Sequence, residues 1–68
     1  MRFEVGDKVR IINNTYYHQY PIGSIVTIDK VRLRDYLCKE SYEGFAWYIT
    51  DKDCESANNP IKLKIKQL

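Results

Sequence analysis

The sequence is short of the residue types from which metal and catalytic centres are built: it has one histidine and two cysteines. Cys38, Cys54 and His18 supply three soft ligands at most, without Cys-x-x-Cys spacing, so no metal site is expected. Asp51, Asp53 and Glu55 alternate like the opening of a calcium loop, but the following glycine and the distal bidentate glutamate are missing. A general base needs a nucleophile or an orienting carboxylate, and none lies at recognisable spacing from His18. The expectation is therefore a non-enzyme with no catalytic residue and no cofactor. Taken alone, His18 reads as an exposed loop side chain making one hydrogen bond.

Long apolar runs are absent too. None approaches the roughly 18 residues of a membrane helix, and the opening MRFEVGDK lacks the apolar core of a signal peptide. A soluble, cytoplasmic protein is expected, with the two cysteines as free thiols rather than a disulfide. In that setting the glycosylation match Asn13-Asn14-Thr15 has no meaning. The net charge of +2 is too small to argue for nucleic acid by itself. There is no repeat, linker or low-complexity stretch, and 68 residues make one domain, 1–68.

Aromatic side chains are what the chain has in quantity: six Tyr, two Phe and one Trp. A domain this small buries only about 60% of its unfolded surface, so large rings are an economical way to close its core. The patterning is that of β-strands. Pro21 to Val31 sets a turn at Pro and Gly and then runs Ile25, Val26, Thr27, Ile28, Val31, a β-branched series without helical period. It is the strand around which the others are expected to wrap. Upstream, Lys8 to Ile12 alternates, with Val9 and Ile11 inward and Lys8 and Arg10 toward water.

Between these two strands Asn13 to Gly23 forms a long loop carrying Tyr16, Tyr17, His18 and Tyr20; long structured loops in small domains are often functional. In the central strand, Ser24 to Leu33, Val26 and Ile28 are expected inward, Thr27 and Asp29 outward. After a polar turn at Arg32, Arg34 and Asp35, a third strand spans Tyr36 to Glu40. Ser41 to Gly44 reads as a hairpin loop and Phe45 to Thr50 as a fourth strand. Asp51 to Glu55 reads as a 3₁₀ turn capped by Asp51, and Ile61 to Lys66 as a last strand with three lysines on one face. Lys62, Lys64 and Lys66 have two readings. They discourage edge pairing with other chains, or they contact phosphates together with Arg32 and Arg34.

Several of these pieces resemble an SH3-like barrel: GDKVRII at 6–12, PIGSIVTI at 21–28, WYIT at 47–50 followed by DKDCE, and the terminal strand. Their order is similar to that of small stand-alone SH3-like proteins of phages and bacterial mobile elements. The resemblance implies an all-β, five-stranded barrel with a long first loop and a short 3₁₀ turn before the last strand. It also implies an inhibitor or adaptor that binds a host or phage protein. GDKVRII is also similar to the opening of KOW-type barrels. Eukaryotic SH3 domains bind Pro-rich peptides in an aromatic groove, but this chain has no ALYDY segment, no tryptophan pair and no Pro-Ser-Asn-Tyr stretch. The candidate partner-binding surface is Tyr16, Tyr17, His18 and Tyr20 with Tyr42 and Trp47, because Tyr and Trp give large contact area at low entropy cost. The partner is expected to be a protein, with nucleic acid or nucleotide binding through the lysine strand and the tyrosines as the alternative. The chain is expected to be a monomer or a homodimer.

Overall fold

The alternation at Lys8 to Ile12 becomes strand β1, Lys8–Ile11, with Val9 and Ile11 buried, Lys8 exposed and Arg10 half-buried. The computed structural model describes residues 2–57 of the chain. Within them follow β2 (Ile25–Val31), β3 (Tyr36–Tyr42), β4 (Phe45–Ile49), a 3₁₀ turn (Asp51–Asp53) and β5 (Cys54–Ser56). All neighbours pair antiparallel in one sheet of order β4-β3-β2-β1-β5. The fold is all-β. The sheet is open, with β4 and β5 at its two edges.

β2 belongs to two ladders at once. Its first half pairs with β1 (Val9↔Val26) and its second half with β3 (Val31↔Tyr36), with a register shift inside the β2–β3 ladder between Ile28 and Lys30. Such an irregularity bends a strand and strengthens its twist, which lets one strand serve both halves of a curved sheet. The concave face holds Val9, Ile11, Val26, Ile28, Tyr36, Cys38, Ile49 and Cys54, closed by Phe3 and Tyr20 and flanked by Trp47. Cys38 and Cys54 are free and buried, and burial pushes their thiols up to about 12 and about 11.

Four expectations change. Thr27 is buried, not outward, because its backbone N–H and hydroxyl both donate to the Glu40 carboxylate (2.7 and 2.8 Å). The hairpin turn contracts to Glu43-Gly44, both at positive φ (55° and 87°), the backbone of a two-residue turn that matches strand twist. The 3₁₀ turn is capped by Thr50, not Asp51. It ends at Asp53, and Cys54–Ser56 leaves it as β5 to pair with β1, Ile11 opposite Cys54. The strand expected at Ile61 to Lys66, with Lys62, Lys64 and Lys66, lies outside the described residues.

Candidate functional site

Three connections meet at one end of the sheet: the β1–β2 loop, the β2–β3 turn and the 3₁₀ turn. Asp53 joins the first to the third. Its side chain is fully buried and accepts from the Thr15 N–H (2.7 Å), the Thr15 hydroxyl (2.8 Å) and the Thr50 N–H (3.0 Å). Its own N–H donates to the Thr50 carbonyl, and its carbonyl accepts from Ile12 and Asn13. With Thr50 it forms a reciprocal capping box. Burial pushes the Asp53 carboxyl up, but the donors from Thr15 and Thr50 outweigh it and hold the group below its ordinary value.

The loop is pinned again from within by His18. Its Nδ1 accepts from the Tyr20 N–H (3.1 Å), which makes Nε2 the protonated nitrogen, donating to the Asn13 carbonyl (2.7 Å). Asn14 donates in turn to the His18 carbonyl. His18 is fully buried, so it is neither an exposed loop side chain nor a contact residue. Tyr20 is also interior. Its hydroxyl donates to the Glu40 carbonyl (2.6 Å) and accepts from the Trp47 N–H (3.1 Å). The β3–β4 register shifts between Leu37 and Ser41, and the phenol sits in that gap as a bridge between strands. Burial pushes its hydroxyl up to about 12.

The β2–β3 turn is closed by Arg32. Its guanidinium meets the Asp35 carboxylate at 2.7 and 2.9 Å and stacks over the Tyr48 ring at 4.0 Å. That hydrogen-bonded pairing holds Asp35 below its usual range. The Tyr16 hydroxyl faces the same carboxylate and is raised by it. Leu33 and Arg34 are left at the tip of the turn, and Leu33 is 86% exposed.

These connections enclose a shallow groove of about 520 Å³ lined by Thr15, Leu33, Arg34, Thr50, Asp51 and Lys52. A second hollow, about 390 Å³, shares Leu33 and Arg34 and adds Tyr16, Arg32 and Asp35. Asp51 receives the Tyr36 hydroxyl and pairs with Arg2 at 3.6 Å, so its charge is already met. Asp51, Asp53 and Glu55 therefore diverge, the last pairing with Arg10 at 3.0 Å.

The six aromatic and imidazole candidates do not form one surface. Tyr16 and Tyr17 are exposed, Tyr16 lining the second hollow, while His18 and Tyr20 are the struts beneath that loop. Tyr42 ends β3 and Trp47 lies in the middle of β4, where its indole N–H donates to the Tyr42 carbonyl and its ring stacks edge-on with Phe45. Tyr42 stands about 20 Å from Tyr36 along β3 at ordinary strand rise, whereas Trp47 is tied to the loop by its N–H bond to the Tyr20 hydroxyl. Of the cations expected to reach phosphate, Arg32 is committed to Asp35, and Arg34 stands free of any ion pair among the described residues.

Sequence reasoning missed Leu33, Thr15, Thr50 and Lys52 as parts of the site. One signal for Thr50 was present: Thr50-x-x-Asp53 has the spacing of a capping box. Tyr17 carries a further signal invisible in sequence, since its backbone is left-handed (φ 61°) although the ring is 86% exposed and gains little from packing. No protein-family model, curated protein or solved structure matches this chain.

Proposed function

We propose that this chain is a non-catalytic, SH3-like binding module that engages a partner protein through the groove between Tyr16, Leu33 and the 3₁₀ turn. The strand order, the strand shared by two ladders, the long loop after β1 and the 3₁₀ turn before β5 support the SH3-like reading. The observation that carries the binding reading is the contrast between support and display. Every buried side-chain nitrogen and oxygen among the described residues has a partner, whereas Leu33 and Tyr17 stand almost fully in solvent on connections held rigid from below. A bulky residue kept at positive φ without packing costs about 1–3 kcal/mol, and such strain tends to persist where contact with something else offsets it. Large side chains on a fixed frame lose little entropy when a partner covers them.

In this reading the module acts by occlusion, with anchors at Tyr17 and Leu33 and charged neighbours tuning the encounter. The resemblance to phage and mobile-element proteins makes a host or phage protein the expected target. Capture from host lysate, with and without nuclease, tests it. A discrete protein should be retained after nuclease and lost with Leu33→Ser. Tyr17→Asn should weaken capture while raising thermal stability, since asparagine tolerates the left-handed backbone. Recovery of nucleic acid alone, or capture indifferent to both substitutions, overturns the reading.

A further inference from the structure

The charges around the groove are unequal in their commitments. Both carboxylates there are met: Asp35 by the two-pronged Arg32 contact, Asp51 by Arg2 and the Tyr36 hydroxyl. Arg32 and Arg2 are correspondingly used, Arg2 also donating to the carbonyls of Asp51 and Cys54 at 2.9 Å. Arg34 and Lys52 remain. They line the groove from its two sides, one on the β2–β3 turn and one on the 3₁₀ turn, and neither side chain has an acidic partner among the described residues. The same groove is lined by Leu33, the most exposed aliphatic side chain on the described surface, and by Thr15.

We infer that the ligand of this groove is an acidic segment of a partner protein, in which an apolar side chain seats on Leu33 and Tyr16 while flanking carboxylates meet Arg34 and Lys52. This rests on the groove being the binding site, as proposed above, and adds the chemistry it selects. Two cations without ion pairs among the described residues, on two different connections that line one groove with Leu33, complement a carboxylate–apolar–carboxylate pattern. A Pro-rich segment would leave both cations without partners, and a basic segment would be repelled. Nucleic acid fits less well. Proteins that hold it through phosphates use about 6–10 such contacts, and a bare leucine adds nothing to them.

The test is an NMR titration of the isotope-labelled protein. The probes are a short capped peptide with leucine between two glutamates, the same peptide with glutamines, and a single-stranded oligonucleotide. The glutamate peptide should shift the amides of Thr15, Tyr16, Leu33, Arg34 and Lys52 and bind about tenfold more tightly than the glutamine version. Arg34→Gln and Lys52→Gln should each weaken it about two- to fivefold, an ordinary range for exposed ion pairs, and the preference should fade in about 1 M salt. Both side chains are at the surface, so unchanged melting curves should accompany the loss. Equal affinity for the two peptides, indifference to both substitutions, or tighter binding of the oligonucleotide at these amides overturns the acidic preference. It leaves the groove reading standing if Leu33→Ser still abolishes partner capture. Failure of that substitution to affect capture overturns the groove itself.

Discussion

Replacing Asp53 by asparagine keeps its size and removes one acceptor oxygen. In the native side chain Oδ1 accepts from the Thr15 N–H and hydroxyl, and Oδ2 from the Thr50 N–H and hydroxyl. Whichever way the amide turns, its NH₂ faces an N–H and a hydroxyl that had been donating to a carboxylate. Hydrogen bonds to charged groups are worth about 1.5–3 kcal/mol each, and a donor left unpaired in a buried place adds its own desolvation cost, so the expected loss is about 2–4 kcal/mol. A domain of 68 residues has roughly 3–10 kcal/mol in total, so the variant should be marginal at room temperature. Urea unfolding measures this directly. Its pH dependence supplies the sharper check. Because the folded Asp53 is held below its ordinary value, its contribution is complete above the unfolded carboxylate range, near pH 4, and disappears as pH falls through the folded value. Asp35, held down by Arg32, and Glu40, held down by Thr27 against its burial, lose stability in the same direction in both proteins. The gap between native and variant should therefore narrow in acid. A difference under about 0.5 kcal/mol at neutral pH, or a gap that stays constant from neutral pH into strong acid, refutes the account of Asp53 as the joint between loop and 3₁₀ turn.

Tyr20→Phe removes the phenol that joins the Glu40 carbonyl to the Trp47 N–H and should cost about 1–3 kcal/mol, with faster hydrogen exchange at the Trp47 amide; unchanged exchange there counts against the bridge. Glu43→Asn relieves a left-handed backbone in the hairpin turn and should raise stability by about 1 kcal/mol in thermal melts, whereas no gain means that Glu43 makes a compensating interaction. Cys38 and Cys54, buried and with thiols near 12 and 11, should resist alkylation at pH 8 in the folded protein and react together on unfolding, so labelling of either without unfolding contradicts their placement.

Where the chain alternates over four or more residues, the sequence was readable. Lys8–Ile11 displays its buried face in period two, and Val26 and Ile28 are interior as that period requires. Thr27 broke the pattern because a carboxylate thirteen positions away captured its donors, which no local rule contains. In sequence, β5 reads as the end of a turn. Three residues, Cys54–Ser56, are too few to show a period, and their strand character comes from pairing with β1 and from Arg10 meeting Glu55. In the long loop, composition drew attention to Tyr16 and Tyr17, and both are exposed. The same composition put His18 and Tyr20 outside. Their burial depends on Asn13, within the same loop, and on Glu40 and Trp47, whose proximity only the folded sheet creates. Leu33 gives no signal of its own in sequence, because a single leucine beside arginines looks like the end of a strand.

The phenol of Tyr20 has a consequence in time. A hairpin with a two-residue turn is the sort of unit that can zip up within microseconds by itself, yet the β3–β4 pair is joined midway by an oxygen carried on a loop twenty positions upstream of Glu40. Until that loop arrives, Trp47 and Glu40 lack the contacts they make in the finished sheet. The finished β3–β4 pair and the loop that displays Tyr16 and Tyr17 are therefore held by the same hydroxyl, so loosening one removes a contact from the other.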